Sequence, residues 1–158
     1  MLDFANLWAV CDLHSSRLGR LPMWPIDRLE DRPSFFDRQG FPIPSVDGAE
    51  PALVWGRLFE HTDRTIGMDE LPDGSYLSTV WLGCDHALVG PPLLYETMRF
   101  KGTGRESRFW KGREERDVLD FPDPETDEPV DQLRYRTEEE AAAAHHEIVR
   151  RLRLREGH

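Results

Sequence analysis

The chain has 158 residues, which suits a single domain, because a chain of this length buries about two thirds of the surface that it exposes when unfolded. With 30 acidic and 20 basic residues it carries a formal net charge of −10, and this argues against a binder of nucleic-acid backbones, which normally presents a basic face. Its two cysteines exclude a disulfide-rich secreted scaffold. No segment approaches the roughly 20 apolar residues that span a bilayer, and no basic leader precedes the first apolar stretch, so we expect a soluble, cytoplasmic protein.

The first 33 residues are predicted to be an N-terminal extension. They contain a short apolar segment, Phe4 to Cys11, and then a stretch with Pro22, Pro25 and Pro33. Proline at this density prevents helix propagation and favours extended structure. We therefore expect residues 34–158 to form the single folded domain.

The domain is predicted to begin with a small hairpin and a helix. Residues 34–38 and 39–43 read as two short strands around Gly40. Pro51 stands where a first helical residue would, after Asp47 and Glu50, which favour the positive end of a helix dipole. The helix would place four apolar residues on one side: Val54, Trp55, Leu58 and Phe59.

Three consecutive strands are then predicted over residues 64–71, 76–82 and 93–100, and their short links indicate an antiparallel meander. Alternation assigns Ile66 and Met68 to one face of the first strand. In the second strand Val80 and Leu82 share one face, opposite Leu77, Thr79 and Trp81. In the third, Leu94, Glu96, Met98 and Phe100 share a side.

Residues 101–131 are rich in charge and are predicted to be an insertion or an extended hairpin. A strand follows at Gln132 to Arg136, and Thr137 with Glu140 forms a capping box that opens a long amphipathic helix. Its apolar stripe comprises Ala141, Ala144, His145, Ile148, Val149 and Leu152, with His145 packed and His146 in solvent.

These elements predict an α+β fold, an antiparallel sheet of about four to five strands with two helices packed on one face. The other face would stay open for a partner. It would bear either the set Leu77, Thr79 and Trp81 or the set Tyr95, Thr97 and Arg99.

Three segments carry a resemblance to a known group of proteins: STVWLGCDH at Ser78 to His86, GPPLLYETMRF at Gly90 to Phe100, and RYRTEEEAAAAHHEIVRRL at Arg134 to Leu152. They resemble a family of small uncharacterised proteins of bacteriophages and bacterial genomes with the pattern STVFLGLDH, GPPLLFETMVF and YxTxEEAxxGH. The resemblance extends to FFDRQGFPIP and WGRLFEHTDRTI upstream, and it implies no established activity. Cys84 departs from that pattern, which has an apolar residue there.

Asp85 and His86 are the strongest candidates for a site, because they follow a strand and enter a loop. An imidazole beside a carboxylate can act in acid–base chemistry, but adjacent residues of an extended chain point to opposite faces, so the carboxylate would be Glu96 or Asp63, with His61 as a further candidate. The alternative is structural, since aspartate often binds backbone N–H groups in turns.

Neither a metal nor a cofactor is predicted. Cys11 with His14 and Cys84 with His86 supply zinc-type ligands, but on separate segments and with an unusually tight second spacing. The acidic loop at residues 123–131 lacks the glycine and the glutamate of a calcium-binding EF-hand.

Basic residues interleave with Phe109 and Trp110 between Lys101 and Arg116, a pattern suited to anions, although acidic neighbours dilute it. Candidate ligand-binding residues are therefore Arg64, Arg99 and Trp110. Three functions remain open at this point. The leading one is a non-enzymatic accessory protein, of phage or mobile-element type, that binds a protein or a small ligand. The second is a small hydrolase or transferase that uses His86 with Glu96 or Asp63. The third is a homo-oligomer that binds small anions.

Overall fold

The structure is a computed structural model, and it describes residues 33–87, 89–102 and 118–156. Within these residues five strands form one antiparallel sheet, which two helices accompany, so the predicted α+β fold is confirmed. The sheet contains β1 (Thr65–Glu70), β2 (Tyr76–Trp81), β3 (Tyr95–Phe100), β4 (Val118–Leu119) and β7 (Gln132–Tyr135). A small hairpin is formed by β5 (Phe121–Pro122) and β6 (Pro129–Val130), and the helices are α1 (Pro51–His61) and α2 (Glu138–Glu156).

The strand order follows the predicted meander. β1 pairs with β2 and β2 with β3, all antiparallel. On its other side β3 pairs with β4 near Phe100 and with β7 near Tyr95. The two short strands therefore lie one after the other along the same edge of β3.

A tight turn joins β1 to β2. Gly74 adopts a φ of +82°, in the left-handed region that favours glycine. Asp73 Oδ1 accepts hydrogen bonds from the backbone N–H and the hydroxyl of Ser75, at 2.9 and 2.6 Å. The turn brings β2 back along β1 and sets the register in which their buried side chains share one face.

One face prediction was wrong in β1. Thr65 pairs with Val80 but Gly67 pairs with Thr79, so the ladder contains a bulge at Ile66. Ile66 packs against the core, whereas Met68 is 49% exposed on the opposite face. Strict alternation does not allow for the extra residue of a bulge. Ile66 and Met68, which were predicted to share a face, therefore lie on opposite faces.

The N-terminal turn of α2 has the predicted capping pattern. The N–H of Glu140 donates to Thr137 Oγ1 at 3.2 Å, and Glu140 Oε2 accepts from the N–H of Arg136 at 3.1 Å. The buried side chains of the helix are Ala141, His145, Ile148, Val149 and Leu152. His146 is exposed, so the predicted assignment of the two histidines is confirmed.

The face under α2 is the one that was expected to be open, and that expectation was wrong. Thr79 pairs with Thr97 and Trp81 with Tyr95, so the two candidate sets share a single face. Leu77 and Trp81 are at most 1% exposed and belong to the core clusters. The helix covers this face because its apolar stripe needs an apolar partner.

The opposite side of the sheet carries two rows of side chains that we name the open face. One row is Thr65, Val80, Glu96 and Arg134, and the other is Met68, Ser78, Met98 and Gln132. All eight residues are exposed or partly exposed. At one end of this side, Tyr76 stacks on Phe100 with ring centroids 5.2 Å apart and is buried.

The helix α1 begins at Pro51, as predicted, and completes the core at the other end of the sheet. Trp55 Nε1 donates to the carbonyl of Leu82 at 3.1 Å. The Phe59 ring lies 6.2 Å from that of Trp81. These aromatic contacts attach the short helix to the same face as α2.

The predicted hairpin at residues 34–43 is reduced to single bridges, Phe35 with Cys84 and Phe36 with Pro42. Phe36 packs with Leu94, which lies before β3 and is buried rather than sharing a side with Glu96. The segment therefore closes the core at the end of β2.

The predicted insertion at residues 101–131 is described in part. Residues 118–131 are not a purely charged loop, since Phe121 is 2% exposed and packs in the core. Residues 103–117, which include Trp110, lie outside the described residues, as do residues 1–32 of the predicted extension. Neither of the described helices has the length and apolar character needed to cross a membrane.

Candidate functional site

The loop after β2 is held by Asp85. Its Oδ1 atom accepts hydrogen bonds from the N–H groups of Ala87 and Leu93, at 2.8 and 3.2 Å. The N–H of Asp85 itself donates to the carbonyl of Ser34 at 2.9 Å. This geometry fits the turn-holding alternative, because the carboxylate is occupied by backbone donors.

His86, the neighbouring candidate, contacts a thiol. Its Nε2 atom lies 3.1 Å from Cys84 Sγ, and the imidazole is exposed. Burial raises the pKa of the Cys84 thiol above its ordinary value, since desolvation disfavours the thiolate. The pair is therefore a neutral thiol beside an imidazole at neutral pH.

The two carboxylates proposed as partners of His86 have hydrogen bonds elsewhere. Glu96 Oε2 accepts from Gln132 Nε2 at 2.7 Å and from Arg134 Nε at 3.0 Å. Asp63 Oδ1 accepts from the N–H of Thr65 at 3.0 Å, a bond that lowers the pKa of Asp63. The structure thus gives Glu96 a place on the open face and Asp63 a place at the start of β1.

The two described cations that were candidates for ligand binding lie at opposite ends of β2. The guanidinium of Arg64 stacks over the Phe59 ring at 3.8 Å from its centroid, and its carbonyl accepts from the N–H of Trp81. Arg99 pairs in register with Leu77 and donates to Asp73 Oδ2 at 2.7 Å. The structure does not bring them into one anion site, and Trp110 is outside the described residues.

A series of polar side chains crosses the buried layer between α2 and the sheet. Thr97 Oγ1 lies 2.6 Å from Thr79 Oγ1, which lies 2.7 Å from His145 Nδ1. His145 Nε2 lies 3.1 Å from Asp69 Oδ2, and Arg153 donates to Asp69 Oδ1 at 2.7 Å. We name these five residues the His145 relay.

The charges in the His145 relay define its proton positions. Burial opposes ionisation of Asp69, but His145 and Arg153 together lower the pKa of this carboxyl. Desolvation lowers the pKa of His145 and outweighs the hydrogen bond that the ring donates to Asp69, which raises it. At neutral pH Nε2 therefore donates to the Asp69 carboxylate, and Nδ1 accepts from the Thr79 hydroxyl.

A carboxylate, an imidazole and a hydroxyl in series resemble the groups of a nucleophilic triad, but Thr79 is fully buried. A substrate has no access to a hydroxyl that α2 covers. The relay in this structure is therefore a polar connection between the helix and the sheet.

The relay was missed by the sequence analysis, although two signals for it were present. His145 lies on the apolar stripe of α2, and Thr79 lies between Leu77 and Trp81 on the buried face. A polar residue in each of two facing apolar stripes indicates a buried hydrogen bond between them. Asp69 gave no such signal, because the bulge in β1 decides which way its side chain points.

Within residues 33–87, 89–102 and 118–156, no three His, Cys, Asp or Glu side chains are grouped so that they could hold a metal ion. Cys11 and His14, the other residues considered for zinc, lie outside the described part of the chain. In comparisons with protein-family models, curated proteins and solved structures, no match to this chain was found.

Proposed function

We propose that this chain is a non-enzymatic accessory protein that binds another protein through the open face of its sheet. The supporting observation is that both described helices pack on one side of the sheet, while the other presents the two rows defined above. Met68 in the centre of the exposed edge strand is 49% exposed. The resemblance noted in the sequence supports the further proposal of a phage or mobile-element origin.

The chemistry of the open face favours a protein as the partner. Met68 and Met98 are flexible apolar side chains, which adapt to the shape of a protein surface. Glu96 and Arg134 neutralise each other, so the face carries no concentrated charge for an anion or a nucleic-acid strand. A mixed patch of this kind is typical of transient protein interfaces.

The experiment compares two exposed apolar positions. Met68→Glu places a charge on the open face, whereas Leu53→Glu places one on α1, where Leu53 is 63% exposed. Both variants and the unmodified chain are used for affinity capture from the source cells, followed by calorimetry with the purified partner. We expect the same partner with the unmodified chain and with Leu53→Glu, and at least a tenfold weaker affinity with Met68→Glu. Equal binding by both variants would place the interface elsewhere.

The rival proposal is a small hydrolase or transferase that uses His86. The observation that bears on it is the contact of His86 with Cys84. A thiol can act as a nucleophile, whereas the predicted pairing of His86 with Glu96 or Asp63 included no thiol. The raised pKa of that thiol leaves less thiolate at neutral pH than a free cysteine has, and this disfavours the rival.

A further inference from the structure

His145 connects α2 to two strands from within the buried layer between the helix and the sheet. The side chain is 1% exposed, and its two ring nitrogens bind Asp69 on β1 and Thr79 on β2. Its ring lies directly over Gly67, where an added Cβ would be 2.6 Å from two ring atoms. Movement of this one imidazole therefore disturbs the attachment of the helix to both strands.

Protonation of the ring would require the two hydroxyl groups of the relay to reverse the direction of their hydrogen bonds. The free position is Nδ1, because Nε2 already donates to Asp69. Nδ1 now accepts from Thr79, so an added proton there forces the Thr79 hydroxyl to turn its hydrogen towards Thr97. Thr97, also fully buried, must then turn its own hydrogen away from Thr79.

The charged groups around the ring compensate an added positive charge only in part. Asp69 faces it from β1, while Arg153 and His146 belong to α2 itself; β2 and β3 contribute only the neutral hydroxyls of Thr79 and Thr97. The single carboxylate is already paired with Arg153. A protonated imidazole would therefore leave a net positive charge beside the core, which costs free energy.

Solvent reaches the outer end of the relay. The Asp69 side chain is 33% exposed and that of Arg153 is 51% exposed. Protons can exchange with the imidazole through this end when the helix makes small local openings. The ring is thus buried but is connected to bulk water by a short polar path.

We propose that the His145 relay is an acid-sensitive latch, which holds α2 on the sheet when the imidazole is neutral and loosens the helix when the imidazole is protonated. Its pKa in the attached helix is lowered, chiefly by burial. The detached helix takes up the proton below about pH 6.5, the ordinary pKa of histidine, whereas the attached one does not. The free energy that holds the helix on the sheet is therefore fully present above this pH and decreases as the pH falls towards the lowered pKa.

Hydrogen exchange of the full chain at about pH 7.5 and about pH 5.5 tests the latch. Expressed as protection factors, which remove the intrinsic effect of pH on exchange, the opening of α2 should increase by up to about tenfold between these two pH values. The protection of α1, whose residues take no part in the hydrogen bonds of the relay, serves as the internal reference. Equal protection of α2 at both pH values overturns the proposal.

Two variants separate the latch from general acid destabilisation. His145→Gln cannot titrate, so its α2 protection should change no more than that of α1, while His146→Gln, at the exposed neighbour, should respond like the unmodified chain. An undiminished acid response in His145→Gln contradicts the latch.

If His145→Gln fails to fold, Asp69→Asn is the alternative variant for testing the latch. Asp69 raises the pKa of His145, so in Asp69→Asn the ring of the attached helix should titrate at lower pH, and the loss of α2 protection should extend over a wider range below about pH 6.5. An NMR titration of the His145 ring in this variant follows the proton directly. A ring titration that stays in place or moves to higher pH, or an α2 protection that no longer falls with acid, overturns the proposal.

Discussion

The backbone of Gly67 lies so close to the imidazole of His145 that any side chain at this position would force the ring or the strand to move. A Cβ at Gly67 would be 2.6 Å from Cδ2 and Nε2 of the ring, and the ring is fixed by bonds to Thr79 and Asp69. Glycine is required here by the close approach of a buried ring to a strand, although the residue was predicted only as part of β1.

Gly67→Ala is therefore expected to destabilise the protein by about 1 to 3 kcal/mol, because the ring must leave its hydrogen bonds or the strand must shift. Urea unfolding followed by circular dichroism measures this difference. The matched control is Gly56→Ala in the middle of α1, where an added Cβ has open space. That change should stabilise by up to about 1 kcal/mol, since alanine is the better helix former. Equal effects of the two substitutions would show that the contact with His145 does not matter.

The hydroxyl of Thr79 is the central link of the His145 relay. Thr79→Val keeps the shape of the side chain but leaves His145 Nδ1 and the Thr97 hydroxyl without this partner. We expect a loss of about 1 to 3 kcal/mol in the free energy of unfolding, the usual penalty for unsatisfied buried polar groups. Thr79→Ser keeps the hydroxyl and loses one methyl group, which costs about 1 kcal/mol. A valine variant as stable as the unmodified chain would mean that the relay contributes no stability.

Substitutions at two neighbouring residues of the β2–β3 loop distinguish the structural role of Asp85 from the exposed position of His86. Asp85→Ala removes the acceptor for two backbone N–H groups and should lower stability by about 1 to 2 kcal/mol. His86→Ala alters an exposed side chain, so we expect a change within about 0.5 kcal/mol. Thermal unfolding of both variants measures the difference. If His86→Ala leaves the melting temperature unchanged but abolishes a hydrolytic activity of the unmodified chain, the enzyme alternative gains support over the binding proposal.

The Cys84 thiol should react slowly with alkylating reagents. Burial raises its pKa, so the thiolate fraction at neutral pH is smaller than in a free cysteine, and the rate should still be rising above about pH 9. Iodoacetamide labelling followed by mass spectrometry of the Cys84 peptide gives the rate, with a free cysteine peptide as the reference. A labelling rate at neutral pH above that of the reference would contradict this prediction and would favour a reactive Cys84–His86 pair.

Much of the fold could be predicted because its signals are local. Pro51 begins α1, and Thr137 with Glu140 begins α2, since capping depends on residues within one turn of a helix end. The meander follows from alternation in the strands and from the turn at Gly74.

The functional candidates were less predictable because their contacts join distant segments. The pairing of Glu96 with Arg134 depends on β7 lying beside β3, which no local pattern specifies. The contact of His86 with Cys84 is local, but the loop conformation that permits it is held by the hydrogen bonds that the N–H groups of Ala87 and Leu93 donate to Asp85.

By itself, the sequence determined the types and approximate bounds of the main helices and strands, the buried stripe of α2 and the burial of His145. Only the tertiary structure decided which face of the sheet that stripe covers and that His145 meets Thr79 and Asp69 there. The physical reason is that both faces of β2 carry apolar residues, so burial alone left two choices. The clusters in which Leu77 packs with Ile148 and Trp81 with Ala141 show which of the two faces the helix covers.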